Sequence, residues 1–379
     1  MHAPAGWPRR EPLNRAQYVL LVLASFVGLG IFTYPGDLVL ADPLSGWTAL
    51  AMVLGLSAVG LWAALAVSRR LPRATMPTAT AAAVGPWLAP ALVVAGTLTD
   101  FLLSAFVLRQ LTELVATSFL IRTPRLLIAT TAMAAAWYAS VPGLPVLARA
   151  LPGVFAVVMA MALVSEGLAL QNLHFAWLVA PHALHLAGGA AGAMTALYIG
   201  LGFHPVTNLH AHASPLRGAS RDTWIAFGLV GLLLAASLGV VLGTFSPWAA
   251  RELTAPLAFA LRLIEVPGFY VSRFGLFELA GWTAVVVTYL GVHAWSQAVC
   301  LGDTLNLGRP AQAWLMTGLS VLTVGVGVYA FPTPLALHDF VVRLLNPLAL
   351  VTLIGAPAVV AVVARLRLGT AARLRPRPT

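Results

Sequence analysis

The chain of 379 residues contains no lysine, a single cysteine and few charges of either sign. Only 9% of its residues are charged, against roughly a quarter in soluble domains, which excludes an ordinary soluble fold. One cysteine, Cys300, excludes an internal disulfide and a cysteine-based metal site, and it reads as a small packing residue. There is no phosphate-binding loop of the Gly-Lys-Ser/Thr type, no paired-carboxylate cleft and no zinc-spaced His/Glu set, so nothing marks an enzyme, a cofactor or a metal centre. His204, His210 and His212 share one short stretch without acidic or cysteine companions, which argues against a metal there. The net charge of +10 comes from arginines spread over alternate connections, and so does not indicate nucleic acid.

What is abundant is apolar sequence. Hydrophobic residues make up 60% of the chain and its mean hydropathy is +0.89, which indicates an all-α polytopic membrane protein. Ten apolar segments approach the length of a span: 18–40, 46–67, 88–118, 126–141, 151–170, 188–210, 223–244, 274–300, 313–331 and 346–364. The fourth is the weakest, being short and rich in alanine. Placing the N-terminus inside puts fifteen arginines in cytoplasmic connections and six outside, with Arg109 inside a span, and both termini become cytoplasmic. Residues 1–17 then form a cytoplasmic tail, without the apolar core of a signal peptide, and 365–379 a basic cytoplasmic tail. Residues 171–187 form an extracytoplasmic loop between repeats at 18–170 and 188–364. A longer connection at 244–274 holds apolar residues spaced for an interfacial helix.

Five spans per half is an odd number, so the second half runs inverted relative to the first. In such inverted repeats the ligand site lies where the first helix of each half is broken. Span one carries Gly28-Leu29-Gly30-Ile31-Phe32-Thr33-Tyr34-Pro35, and span six carries Gly200-Leu201-Gly202-Phe203-His204-Pro205. Glycine leaves helical geometry at little cost and proline lacks a donor, so both stretches are expected to unwind and turn polar groups inward. The competing reading of the glycines is close helix packing. Ligand contacts are expected from Gly28, Leu29, Gly30, Ile31 and Thr33 and from Gly200, Leu201, Gly202 and His204. Phe32 and Phe203 serve either as gates or as core.

Span three places Thr97, Asp100 and Ser104 on one helical face. An intramembrane carboxylate is costly, so Asp100 marks either a site for an amine, proton or cation or a hydrogen-bonded helix contact. His293 in span eight and His204 offer a gate or coupling group, since imidazole changes charge near neutrality. Arg109 and Glu113 stand at i, i+4 and read as a structural ion pair. Glu278 reads as an interfacial partner of Arg273.

The order of motifs resembles the spore germination permeases, the B subunits of nutrient germinant receptors, within the amino acid, polyamine and organocation transporter superfamily. The likeness is carried by Leu13-Asn14-Arg15-Ala16-Gln17 with the break up to Pro35, by Leu108-Arg109-Gln110-Leu111-Thr112-Glu113 with Thr123-Pro124, and by Ile264-Glu265-Val266-Pro267-Gly268-Phe269 with Arg273 and Trp282. Gly275 departs from the family pattern, which has an acidic residue there. The resemblance implies a ten-helix fold, an endospore inner membrane, A and C partner subunits and a small nutrient bound between broken helices. The alternative from another functional class is a proton- or cation-coupled permease for amino acids or amines, using the same site.

Overall fold

The computed structural model describes residues 12–28, 30–179, 185–264 and 274–373. Among these, seven helices are long and apolar enough to cross a membrane, and the shorter apolar helices Arg15–Val27 and Leu186–Gly200 accompany them. The protein is an integral membrane protein of helices, the form in which a chain in lipid can satisfy its backbone internally.

The first apolar segment is two helices. α1 (Arg15–Val27) opens with a capping box: Asn14 Oδ1 accepts from the Gln17 amide at 2.9 Å, and Gln17 Oε1 accepts from the Asn14 amide at 3.1 Å. After Val27 the helix stops, Gly30 adopts a φ of 53° that side chains resist, and α2 (Tyr34–Val39) starts with Pro35 in its first turn. Then come α3 (Gly46–Arg70), α4 (Met76–Val84), α5 (Leu88–Ser118), α6 (Arg125–Ser140) and α7 (Leu144–Ala169). The alanine-rich fourth segment is thus a helix of 16 residues, held against α5 and α7. α7 begins ahead of residue 151 because Pro145 fits its first turn, and the helix carries Pro152 within it.

α8 (Phe175–Val179) stands in the following connection. The second interrupted segment consists of α9 (Leu186–Ala196), a tight 3-10 turn at Leu197–Gly200, a non-helical turn at 201–205, and α10 (Val206–His210). Both expected breaks are therefore present. α11 (Ala219–Ala250) is kinked at Ser246 before Pro247, and α12 (Pro256–Arg262) is the short helix expected after it. The chain continues through α13 (Phe274–Thr304), α14 (Arg309–Tyr329) and a last path of α15 (Pro334–Phe340), α16 (Asn346–Ala349) and α17 (Ala356–Arg373). Two π-helical turns, Val341–Leu345 and Leu350–Gly355, join these last pieces, so the final segment starts well before residue 346.

α13 lies at the centre, packed on α1, α5, α6, α7 and α14. The two breaks touch directly. A Cβ on Gly202 would run into the Ser25 carbonyl and Phe26 of α1, so this approach requires glycine. The face where the chain starts is tied shut. Arg15 forms a two-pronged pair with Asp222 at 2.9 and 2.7 Å, Tyr18 and Thr223 share a hydroxyl bond of 2.6 Å, and Leu13 pairs through its backbone with His212 and Ser214. Asp222 sits in the first turn of α11, where the helix dipole also favours a carboxylate.

Gly202→Val should lower stability by about 1–3 kcal/mol, the usual cost of overpacking. Gly228→Val on α11, where a Cβ meets nothing within 4 Å, should be nearly neutral. Thermal unfolding of the two variants in detergent checks the contrast.

Candidate functional site

α1 stops at Val27, so its last carbonyls lack helical partners. The Ser25 carbonyl is supplied by His293 of α13, whose Nε2 lies 3.1 Å away. Because that carbonyl only accepts, Nε2 carries the hydrogen. The other ring nitrogen, Nδ1, lies 2.7 Å from Asp100 Oδ1 on α5. Two bare lone pairs would repel at that distance, so a further proton sits between imidazole and carboxylate. Asp100 Oδ2 accepts from Gln297 Nε2 at 2.8 Å, and Gln297 reaches Ser104 Oγ at 3.1 Å. His204 Nδ1 comes to 3.4 Å of Oδ2, within ion-pair reach but outside hydrogen-bond geometry. Tyr289 stacks on His293 with ring centroids 3.9 Å apart. All of these side chains are buried, and together they tie α1, α5 and α13 to the second break.

On the face opposite the Arg15–Asp222 closure, a cavity of about 630 Å³ opens beside the first break. That volume suits a small organic ligand. Its counterpart on the other face, bounded by Phe203, His204 and Thr352, measures only about 50 Å³, room for little more than water. Gly30, Phe32 and Thr33 line the large cavity. Gln110 Nε2 donates to Thr33 Oγ1 at 3.1 Å, Thr33 and Tyr198 share a hydroxyl bond of 3.0 Å, and the Tyr198 hydroxyl donates to Asp37 Oδ2 at 2.7 Å. Gln110 Oε1, Arg109 Nε and Trp282 Nε1, buried polar atoms of lining residues, have neither a hydrogen-bond partner nor an ion pair at that atom. Buried polar atoms are ordinarily hydrogen-bonded, so these set the cavity lining apart from the packed core.

Charge in the cavity is nearly balanced. Arg109 pairs with Glu113 at 2.5 Å, as the i, i+4 spacing predicted, Arg125 adds a second contact to Glu113 at 2.9 Å, and Arg251 pairs with Glu252. Asp37 is the cavity carboxylate that no arginine holds among the described residues, with His338 Nδ1 4.0 Å from Oδ1. Phe32 meets Trp282 edge-on at 5.0 Å, and Phe106 meets Tyr198 at 4.8 Å, which makes the floor aromatic.

The remaining expected positions lie elsewhere. Gly28 is pressed against Tyr289, Gly200 against Ser57, and Gly202 against α1, while Ile31 and Leu201 are buried in the core. Phe203 packs onto Gly60, Thr97 is buried on α5, and Leu29, Arg273 and Glu265 lie outside the described residues. Among the described residues no group of three or more His, Cys, Asp or Glu is arranged to hold a metal. Gln110 and Trp282, which the sequence marks only as parts of the family likeness, join the site, and so do Asp37, Tyr198 and Gln297, which have no signal beyond being polar within apolar segments. Asp37 was the most visible, a carboxylate three residues after the Tyr34-Pro35 break.

These features define a class: a helical membrane protein in which two interrupted helices meet at a buried acid–histidine cluster below a one-sided cavity. Residues 12–330 match the family model described as Spore germination protein (Spore_permease), and the chain belongs to that family. Spore germination protein B2 of Bacillus subtilis (strain 168) is 27% identical over 103 residues, 26% of this chain and 27% of that protein, so the match spans about a quarter of the relative. The solved structure of MhsT in complex with L-phenylalanine is 12% identical with a TM-score of 0.62, covering 95% of this chain and 100% of that one. That likeness shows a shared fold.

His293→Leu orphans both the Ser25 carbonyl and an Asp100 oxygen and should cost about 3–5 kcal/mol, the penalty of breaking a buried pair. Adding Asp100→Asn should return part of the loss, since a neutral amide no longer leaves an unpaired charge. A double-mutant cycle on unfolding in detergent measures this coupling.

Proposed function

We propose that the protein is the membrane subunit of a nutrient germinant receptor, and that a small zwitterion, foremost an amino acid, binds in the cavity at the first break. The observation that carries this reading is a cavity of about 630 Å³ beside Gly30 and Thr33, among whose lining residues Gln110, Arg109 and Trp282 each have a buried polar atom without a hydrogen-bond partner. A ligand ammonium fits the Asp37 side, a ligand carboxylate fits Arg109 Nε and Trp282 Nε1, and an apolar side chain fits Phe32 and Phe106. Membership of the spore germination family supports the biological setting, with the spore inner membrane as location and A and C subunits as partners. The shared fold with a protein solved with L-phenylalanine supports the ligand class. The shared fold is compatible with ten crossing segments in a five-plus-five inverted repeat, and the clustering of arginines in alternate connections supports cytoplasmic termini.

Binding becomes a signal when affinity differs between two states. Here the state described is open at the cavity and closed at Arg15–Asp222, and a ligand drawing α2 toward α5 would favour closure of the cavity. Partner subunits would then read the shift. Ligand contact is assigned foremost to Gly30, Phe32 and Thr33, with Gln110 and Asp37 added. Asp100, Ser104, His204 and His293 form the lower cluster that senses the helix positions.

A second reading, a proton-coupled permease for amino acids or amines, is favoured by one observation: a carboxyl group and an imidazole, Asp100 and His293, are buried together 2.7 Å apart between α5 and α13. Uptake of an amino acid into liposomes driven by an imposed proton gradient would decide for transport. Normal germination of spores lacking the protein, toward every nutrient tried, would remove the receptor role.

Gly30→Leu should abolish the ligand response, because the new side chain meets Gln110 and Tyr198 and the backbone stays left-handed there. Gln110→Leu should weaken binding about tenfold, near 1.4 kcal/mol for one lost hydrogen bond. A thermal-shift screen of the common amino acids on wild type and both variants measures this; equal shifts in all three would remove the site.

A further inference from the structure

Away from both the cavity and the Asp100 cluster, a second carboxyl group is buried within the bundle. Glu166 of α7 has a relative exposure of 5% and faces α11, where Ser237 Oγ bonds its Oε1. Its Oε2 has no partner, and no arginine or histidine pairs with it among the described residues. The hydroxyl of Ser237 also bonds the Leu233 carbonyl of its own helix at 2.9 Å. A serine has one hydrogen, so it gives a full hydrogen bond to only one of the two acceptors. If it serves the carbonyl, the contact with Glu166 needs a hydrogen from the carboxyl.

A bare carboxylate at this depth would be costly, while a neutral acid is not. Beside this pair, the Tyr34 hydroxyl of α2 donates to the Leu234 carbonyl of the same stretch of α11. Tyr34 is the residue at which the outer half of the broken first helix begins. The carboxyl therefore adjoins the seam on which α2 rests.

We infer that Glu166 is a proton-binding site separate from the Asp100 cluster, holding its proton while α2 packs on α11 and releasing it when that seam opens. The protonated acid donates within the seam, and its ionised form would demand water or a cation there. Five charged groups on the elements around the pair have partners of their own. Arg15 of α1 binds Asp222 of α11, Arg125 of α6 binds Glu113, Arg251 beyond α11 binds Glu252, Arg262 of α12 donates to Ser118, and His293 of α13 binds Asp100. Among described side chains, Tyr34 is the titratable group that shares the seam. Release of one proton leaves a carboxylate, and the proton passes to water entering the opened seam, so atoms and charge balance without any co-reactant.

The test uses the full chain in detergent or liposomes and needs no ligand. In infrared difference spectra, wild type minus Glu166→Gln should show the carbonyl band of a protonated carboxyl at neutral pH, and Ser237→Ala should shift that band. Carboxylate bands in its place at neutral pH would overturn the assignment. Should E166Q fail to fold, the shift in Ser237→Ala identifies the band instead. The link to α2 is read by hydrogen exchange of residues 34–40, corrected for intrinsic rates. As pH rises and the band disappears, wild type should lose protection in α2, and E166Q, which keeps a neutral donor, should not. Equal loss in both proteins, or no loss in wild type once the band has gone, would refute the linkage.

Discussion

The end of α1 in the middle of an apolar bundle is the constraint from which the rest follows. A helix that stops there exposes carbonyls that lipid cannot satisfy. His293 meets one of them at Ser25, and in doing so commits its other nitrogen to Asp100, which in turn engages Gln297 and, through it, Ser104. One interrupted helix thus demands a donor, the donor demands an acid, and the acid demands its own hydrogen bonds. The cluster fixes α1, α5 and α13 relative to one another.

Above the cluster the same interruption has the opposite consequence. Gly30 turns the chain in a left-handed conformation, and the groups beyond it face a cavity instead of lipid. Thr33, Gln110, Tyr198 and Asp37 form a continuous hydrogen-bonded chain along its floor. The cavity is open on one side because the other is held by Arg15–Asp222, Tyr18–Thr223 and the Leu13 backbone pairing. The cavity and the closure of the far face therefore lie at opposite ends of one broken helix, which is the geometry that the proposed binding-driven switch requires.

Much of this was legible in the sequence, in specific places. Glycine and proline at 28–35 and 200–205 announced both breaks, the Arg109 to Glu113 spacing announced an ion pair, and the alignment of Asp100 with Ser104 announced a polar face on α5. The glycine signal could not say what each glycine does. Gly30 meets the cavity, whereas Gly28, Gly200 and Gly202 are sites of close contact, and both uses demand a missing side chain. The roles of Gln110, Tyr198, Gln297 and Glu166 are not legible in the sequence, because a single polar residue in an apolar segment gains its meaning from partners over 60 residues away. The capping box was visible as Asn14 and Gln17, yet its spacing was read only as part of a family likeness.

The central claim is that a small zwitterion enters at the first break. Native Cys300 is fully buried, so a single cysteine placed at the rim reports on the cavity without background. Ala255→Cys lies in the lining and outside the proposed ligand contacts. The rate at which a water-soluble thiol reagent modifies it should fall, saturably, on adding an amino acid that binds. A rate unchanged by every amino acid tried would contradict the account.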